Sequence, residues 1–153
     1  MRSIVILLLC IGIAACGNDA PKPAKRIDTP QEAAVRDGDV TARANVIATG
    51  LLHERMAREY GIPRDDHSVL LMVSVRRGPD GFDISLPATI TASATNLQGQ
   101  TQSIAMREMR IGELTDYIGT AQMLPPDTLR FDVKIVREGA AASTMTFSRD
   151  FEP

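Results

Sequence analysis

Phe82-Asp83-Ile84-Ser85-Leu86-Pro87-Ala88-Thr89-Ile90-Thr91-Ala92-Ser93-Ala94-Thr95 is the stretch whose reading decides the fold. Apolar residues fall on every second position from Phe82 to Ala94, with polar residues or Pro87 between them. Successive side chains of a strand point to opposite faces, so this period of two describes a strand with one face buried. A helix would repeat its apolar residues every three to four positions. Pro87 has no amide hydrogen to give to a ladder and marks a bulge, a bend or a sheet edge.

The same period extends in both directions. Val40, Ala42, Ala44, Val46 and Ala48 form one face upstream, with Ile47 out of phase. Val69, Leu71, Val73 and Val75 follow, and Gly78-Pro79-Asp80-Gly81 supplies turn chemistry. Downstream lie Ile104 to Ile111, Leu114 to Met123, Leu129 to Ile135 and Thr144 to Phe151. About seven short strands separated by turn signals predict an all-β, immunoglobulin-like antiparallel sandwich over 39–153. One segment breaks the pattern: Leu52, Met56 and Tyr60 recur every fourth residue and end at Gly61 and Pro63. This predicts a short helix after the first strand, its apolar stripe inward, plugging one end of the sandwich.

The N-terminus has a different logic. Met1-Arg2, an apolar run from Ile4 to Ile13 and Ala14-Ala15 before Cys16 form a bacterial lipoprotein signal, with residues 1–15 removed. The run is too short for a transmembrane helix, which needs roughly 20 apolar residues. Cys16 is then the lipidated N-terminus, and each buried methylene of its chains contributes about 0.8 kcal/mol. Gly17, in place of Asp, points to an outer-membrane site facing the periplasm. Residues 16–38 are rich in proline and alternating charge and read as a flexible tether. Extended at roughly 3.1 Å per residue, some 20 residues reach about 60 Å.

Cys10 leaves with the signal and Cys16 is acylated, so the domain is expected to have no disulfide. Its stability must come from burial of the 44% apolar residues. A net charge of −2, without clustered Lys and Arg, excludes nucleic acid as a partner. Aromatics at 4% and the lack of Trp make a sugar-stacking platform unpromising.

From Asp39 to Pro153 the chain resembles a bacterial family of unknown function, domain-of-unknown-function family 4426. The residues that carry the resemblance are Tyr60-Gly61-Ile62, Leu71-Met72-Val73-Ser74-Val75 and Ala94-Thr95-Asn96-Leu97 with Gly99-Gln100. Arg107-Glu108, Arg110, Gly112, Tyr117-Ile118 and Leu129-Arg130-Phe131-Asp132 complete the set. The resemblance implies a secreted, sandwich-like domain and supplies no catalytic residues. The first strand, Val40 to Ile47, is less aromatic than the family pattern.

Chemistry-bearing residues are few. His53 and His67 are the only histidines, and no Gly-x-Ser-x-Gly elbow accompanies them, so no hydrolytic triad is expected. Asp65-Asp66-His67 reads as a solvated turn. His53-x-x-Met56, with His67 as a third group, is a soft-metal alternative, because imidazole and thioether suit Cu(I); Met56 also fits core filling. Arg107, Glu108 and Arg110 concentrate charge in one strand. Glu108 shares parity with Ile104 and Met106 and is expected inward, against an Arg. The turn containing Asn96 and Gly99 is a second interaction candidate. The sequence thus predicts a non-enzymatic, cofactor-free binding or scaffolding module. It would be held to the membrane by lipid and engage an unidentified envelope protein or ligand. Copper handling is the alternative.

Overall fold

The computed structural model describes residues 32–152; Cys16 and most of the predicted tether lie outside them. Among the described residues, two antiparallel sheets form a sandwich. The first contains β1 (Ala33–Asp37), β2 (Val40–Ala48), β3 (Ser68–Arg77), β8 (Leu114–Gln122) and β7 (Arg107–Ile111), in that spatial order, with β4 (Ile84–Ser85) paired to β3. The second has the order β10 (Ser143–Phe151), β9 (Asp127–Val136), β5 (Thr89–Thr95), β6 (Thr101–Ile104). Helix α1 spans Glu54–Tyr60.

Among the described residues ten strands replace the seven expected, for three identifiable reasons. First, β1 lies in the segment read as tether. It pairs with β2 from Ala33↔Ala44 to Asp37↔Val40, and Ala33 and Val35 pack on the core. Second, the stretch from Phe82 to Thr95 is two strands in two sheets. Pro87 marks the crossing, where β4 leaves β3 and β5 takes up β9. The Ala88 amide, left without a ladder partner there, donates to the buried Tyr117 hydroxyl at 2.7 Å. Third, the chain crosses back at Ala105-Met106, between β6 and β7. Gly119 makes room for this crossing: a Cβ on it would lie 2.5 Å from Ile104 Cγ2 and 2.9 Å from the Ala105 carbonyl oxygen.

The alternating residues fill the space between the sheets. Ala42, Ala44, Val69, Leu71, Val73 and Val75 face Ala92, Ala94, Leu129, Phe131, Val133 and Ile135, all buried. Phe131 is wholly buried and stacks on Phe147 at 5.3 Å between centroids. Burying such a side chain contributes roughly 1.5–3 kcal/mol.

Helix α1 does not plug the end of the sandwich; it lies on the outer face of the first sheet. Leu52, Ala57 and Ile62 pack there on Leu70, Met109 and Ile118, with Ile47 and Met72 beside them. Ile47, out of phase with the inward face of β2, is in phase with this second core. The predicted stripe was rotated. His53 caps the helix, Ala57 is the residue that meets the sheet, and Met56 is 40% exposed. Ala57 lets the backbone approach more closely than Met56 would. Gly61, in the left-handed conformation at φ +62°, ends the helix, and the Ile62 amide donates to the Ala57 carbonyl at 2.8 Å.

Candidate functional site

The two ends of the sandwich differ in what they carry. One end holds the exits of β2, β5 and β8 and the starts of β3, β6 and β9; Ser68 pairs with Gln122, whose backbone bonds the Gln102 side chain. The other end holds the turns after β1, β3, β7 and β9, and an Arg137–Asp37 ion pair at 2.6 Å ties two of them together.

At that second end stands Phe82, read from the sequence as core-facing and in fact 86% exposed. The alternation places it inward only if its strand continues, but the chain turns before β4. Phe82 closes a four-residue turn in which its amide donates to the Pro79 carbonyl at 3.0 Å. Gly81 adopts φ +87°, where other residues are strained.

Ion pairs grip the turn on both sides of the ring. Arg43 donates to Asp80 at 2.9 Å, and the Arg76 Nε lies 3.6 Å from Asp83. Arg76 is 8% exposed and also donates to the Thr115 carbonyl at 2.8 Å and to the Asp116 carboxylate. It sits where β4 wedges between β3 and the start of β8, the Thr115 amide donating to the Ser85 hydroxyl at 2.8 Å. Asp80 and the more distant Glu32 raise the Arg43 pKa above its ordinary value, and desolvation only partly opposes them. Beyond Phe82, Ile84, Ile111 and Leu114 are 58%, 40% and 37% exposed at the same end. The result is an exposed aromatic on a turn tied at Asp80 and Asp83, at an end that also exposes Ile84, Ile111 and Leu114. Sequence reasoning missed it, and its one signal was the glycine-flanked turn directly before Phe82.

The predicted site residues are dispersed. His53 Nδ1 accepts from the Arg55 amide at 3.2 Å as the helix cap. His53, Arg55, Met56, Glu59 and Tyr60 line a shallow groove of about 430 Å³. His67 is in a different loop and does not line this groove. The turn reading of Asp65-Asp66-His67 describes a bonded knot: Asp65 accepts from the Ser68 hydroxyl and the His67 amide, both at 2.8 Å. These two hydrogen bonds hold the Asp65 pKa below its ordinary value. The fully buried Thr49 completes the knot, 2.7 Å from the Ser68 hydroxyl.

Asn96 and Gly99 form the β5–β6 turn, with Asn96 Oδ1 accepting from the Gln98 and Gln100 amides and Gly99 at φ +79°. Arg107 donates to the Tyr60 carbonyl and so locks the helix terminus, a structural role with a partner other than the one foreseen. Glu108 is exposed and forms no ion pair with Arg107 or Arg110 among the described residues. The sheet crossing at Ala105-Met106 and its place on an edge strand remove the cover that parity implied. Arg110, opposite Thr115, lies at the far end from Asn96, so these residues do not make one site.

The sequence matches the family described as Domain of unknown function (DUF4426) over residues 34–152, which takes in nearly every described strand. The chain belongs to the DUF4426 family. A DUF4426 family protein of Pseudomonas aeruginosa has the same fold at 23% identity and a TM-score of 0.66, covering 80% of this chain and 95% of that one. Two structures of FetP from uropathogenic Escherichia coli are also similar, each at 14% identity. A copper-bound variant has a TM-score of 0.54, covering 77% of this chain and 93% of its own. As-isolated FetP, recombinantly expressed in the periplasm of Escherichia coli, has a TM-score of 0.56, covering 79% and 95%. These likenesses establish the sandwich. Curated proteins give no match. The DUF4426 match begins within β1, so the family unit includes the strand that the sequence reading assigned to the tether.

Proposed function

We propose that this chain is a lipid-anchored, periplasm-facing binding or scaffolding module of the bacterial envelope, without catalysis, whose binding element is the Phe82 turn. The observation that carries this reading is the mounting of Phe82. A turn tied by two ion pairs presents this 86% exposed aromatic, and a backbone already ordered gives up less freedom when a partner covers it. The acid–base groups support the absence of catalysis, because they are engaged in holding the fold: His53 caps α1, and Asp65 and Ser68 close the knot at Thr49. The signal ending at Cys16 supports the address.

Photocrosslinking in cells tests the module reading, with the reactive side chain placed at position 82 and, as a control, at Thr144. A discrete adduct at 82 alone is expected; matching adduct patterns at both positions would remove the turn from the binding role. Membrane fractionation and the mass of the Cys16 peptide test the anchor separately.

Copper handling is the second reading, favoured by one observation: His53 and Met56 line the same groove. A copper-bound structure of the similarly folded FetP adds interest. Among the described residues no group of three His, Cys, Asp or Glu is placed to hold a metal, and this reading rests on the groove shared by His53 and Met56. In the neutral ring Nδ1 serves the cap and the proton sits on Nε2, so coordination through Nε2 would give up the cap. Titration with Cu(I) beside His53→Ala and Met56→Leu decides the matter: the same weak binding in all three ends it.

A further inference from the structure

Leu51, Leu97 and Leu124 are 77%, 69% and 75% exposed. They sit on three separate connections, after β2, between β5 and β6, and between β8 and β9. The register places all three connections at one end of the sandwich, opposite Phe82. Each tip is firmly based. Leu51 lies between the buried Thr49 and Leu52, with Arg64 donating to the Gly50 carbonyl at 2.9 Å. Leu97 tops the Asn96 turn, and Leu124 follows the Met123 amide bonded to the His67 carbonyl at 2.8 Å.

The chain itself says what this end faces. β1 runs away from it, Ala33 pairing with Ala44 and Asp37 with Val40, so Glu32 enters from the leucine side. Fifteen residues lie between Cys16 and Glu32, and even fully extended this stretch spans at most about 55 Å. We propose that the leucine end seats on the bilayer that holds the Cys16 acyl chains, its three tips entering the interface. The inference rests on the anchor reading above and adds an orientation, with Phe82 held away from the membrane. The charges at this end, Asp65, Asp66, Asp127, Asp150 and Glu152 against Arg64, Arg130 and Arg149, are net acidic and offer no basic patch for anionic lipid. The occupant is therefore a zwitterionic surface met by apolar insertion.

The test uses the full chain, purified with its native N-terminus and reconstituted into phosphatidylcholine vesicles carrying a shallow lipid-bound quencher. A fluorophore is placed on Gln98→Cys, beside Leu97, and on Ala141→Cys at the opposite end as a control. At least twofold stronger quenching at 98 than at 141 is expected. It should fall to the control level in a Leu51→Asp, Leu97→Asp, Leu124→Asp background. Because all three side chains are exposed, the triple variant should unfold at the wild-type urea midpoint, and Leu97→Asp alone should give a partial loss. Equal quenching at 98 and 141, with an acylated mass at Cys16, overturns the orientation and leaves the anchor intact. An unmodified Cys16 sinks both. Concentration-dependent self-quenching at 98 without lipid quenching overturns the proposal and gives the leucines to a second copy of the chain.

Discussion

Replacing Arg76 with Ala should be among the most damaging single changes in the domain. Its side chain is 9% exposed, and the partner carboxylates of Asp116 and Asp83 are 14% and 19% exposed. Removal strands two largely dehydrated carboxylates and the Thr115 carbonyl. Breaking a buried pair in this way costs about 3–5 kcal/mol. The Asp83 contact is long, at 3.6 Å, so the lower figure, about 3 kcal/mol, is expected. A domain of about 120 residues has a total stability of roughly 6–18 kcal/mol. With a urea slope of about 1.5 kcal/mol per molar, the midpoint should fall by about 2 M. Arg76→Met combined with Asp116→Leu should recover part of the loss, because an apolar pair replaces the Arg76–Asp116 contact while Asp83 stays unpaired. Urea unfolding followed by circular dichroism measures both variants. A loss below 1 kcal/mol in Arg76→Ala, or a double variant no better than the single, would refute the view that these charges clamp the turn.

Other outcomes follow from the same geometry. Gly119→Ala should lose about 1–3 kcal/mol by driving a methyl into Ile104 and the Ala105 carbonyl, read as a lowered unfolding midpoint. Tyr117→Phe should lose about 1–3 kcal/mol, since the Ala88 amide then has no acceptor; exchange of that amide, followed by NMR, should accelerate in step. Asp65 has a folded pKa below 3.8, so its hydrogen bonds contribute stability above that pH and lose it as pH falls through the lowered value. Asp65→Asn should therefore be less stable than wild type at pH 6, and the gap should close towards pH 3. A gap that widens on acidification would contradict the assignment.

Much of the fold was legible because alternation is a direct record of burial. Val69 to Val75 and Leu129 to Ile135 read as strands with an inward set and are so, although Leu70 on the other face of β3 is buried as well, under α1. The sheet crossings were not legible, because a strand that changes partner keeps its alternation. Ile104 and Met109 are both buried yet differ in parity: the first faces the inter-sheet core and the second lies under α1. The same effect left Glu108 without the inward partner assigned to it. Helix α1 was found but misphased, since counting from Leu52 ignored the cap at His53. Of the residues singled out, Asn96 and Gly99 were rightly read as a turn. Arg76 gave no signal: one arginine at the end of an apolar strand looks like the polar residue that ends it.

Phe82 is the most instructive departure. A phenylalanine in phase with Ile84, Leu86 and Ala88 should be buried, and burial would contribute roughly 1.5–3 kcal/mol. The chain forgoes that gain, and the groups that shape the turn before the ring are costly to place. Gly81 lies where other residues are strained, and Arg76 is taken largely out of water. An irregular loop that merely tolerated an exposed ring would need neither device. Sites where local patterning fails against a structure that insists on the exception are where function is expected. Were the leucine end seated on a membrane, as proposed above, the same geometry would set Phe82 at the far end of the sandwich, open to a partner.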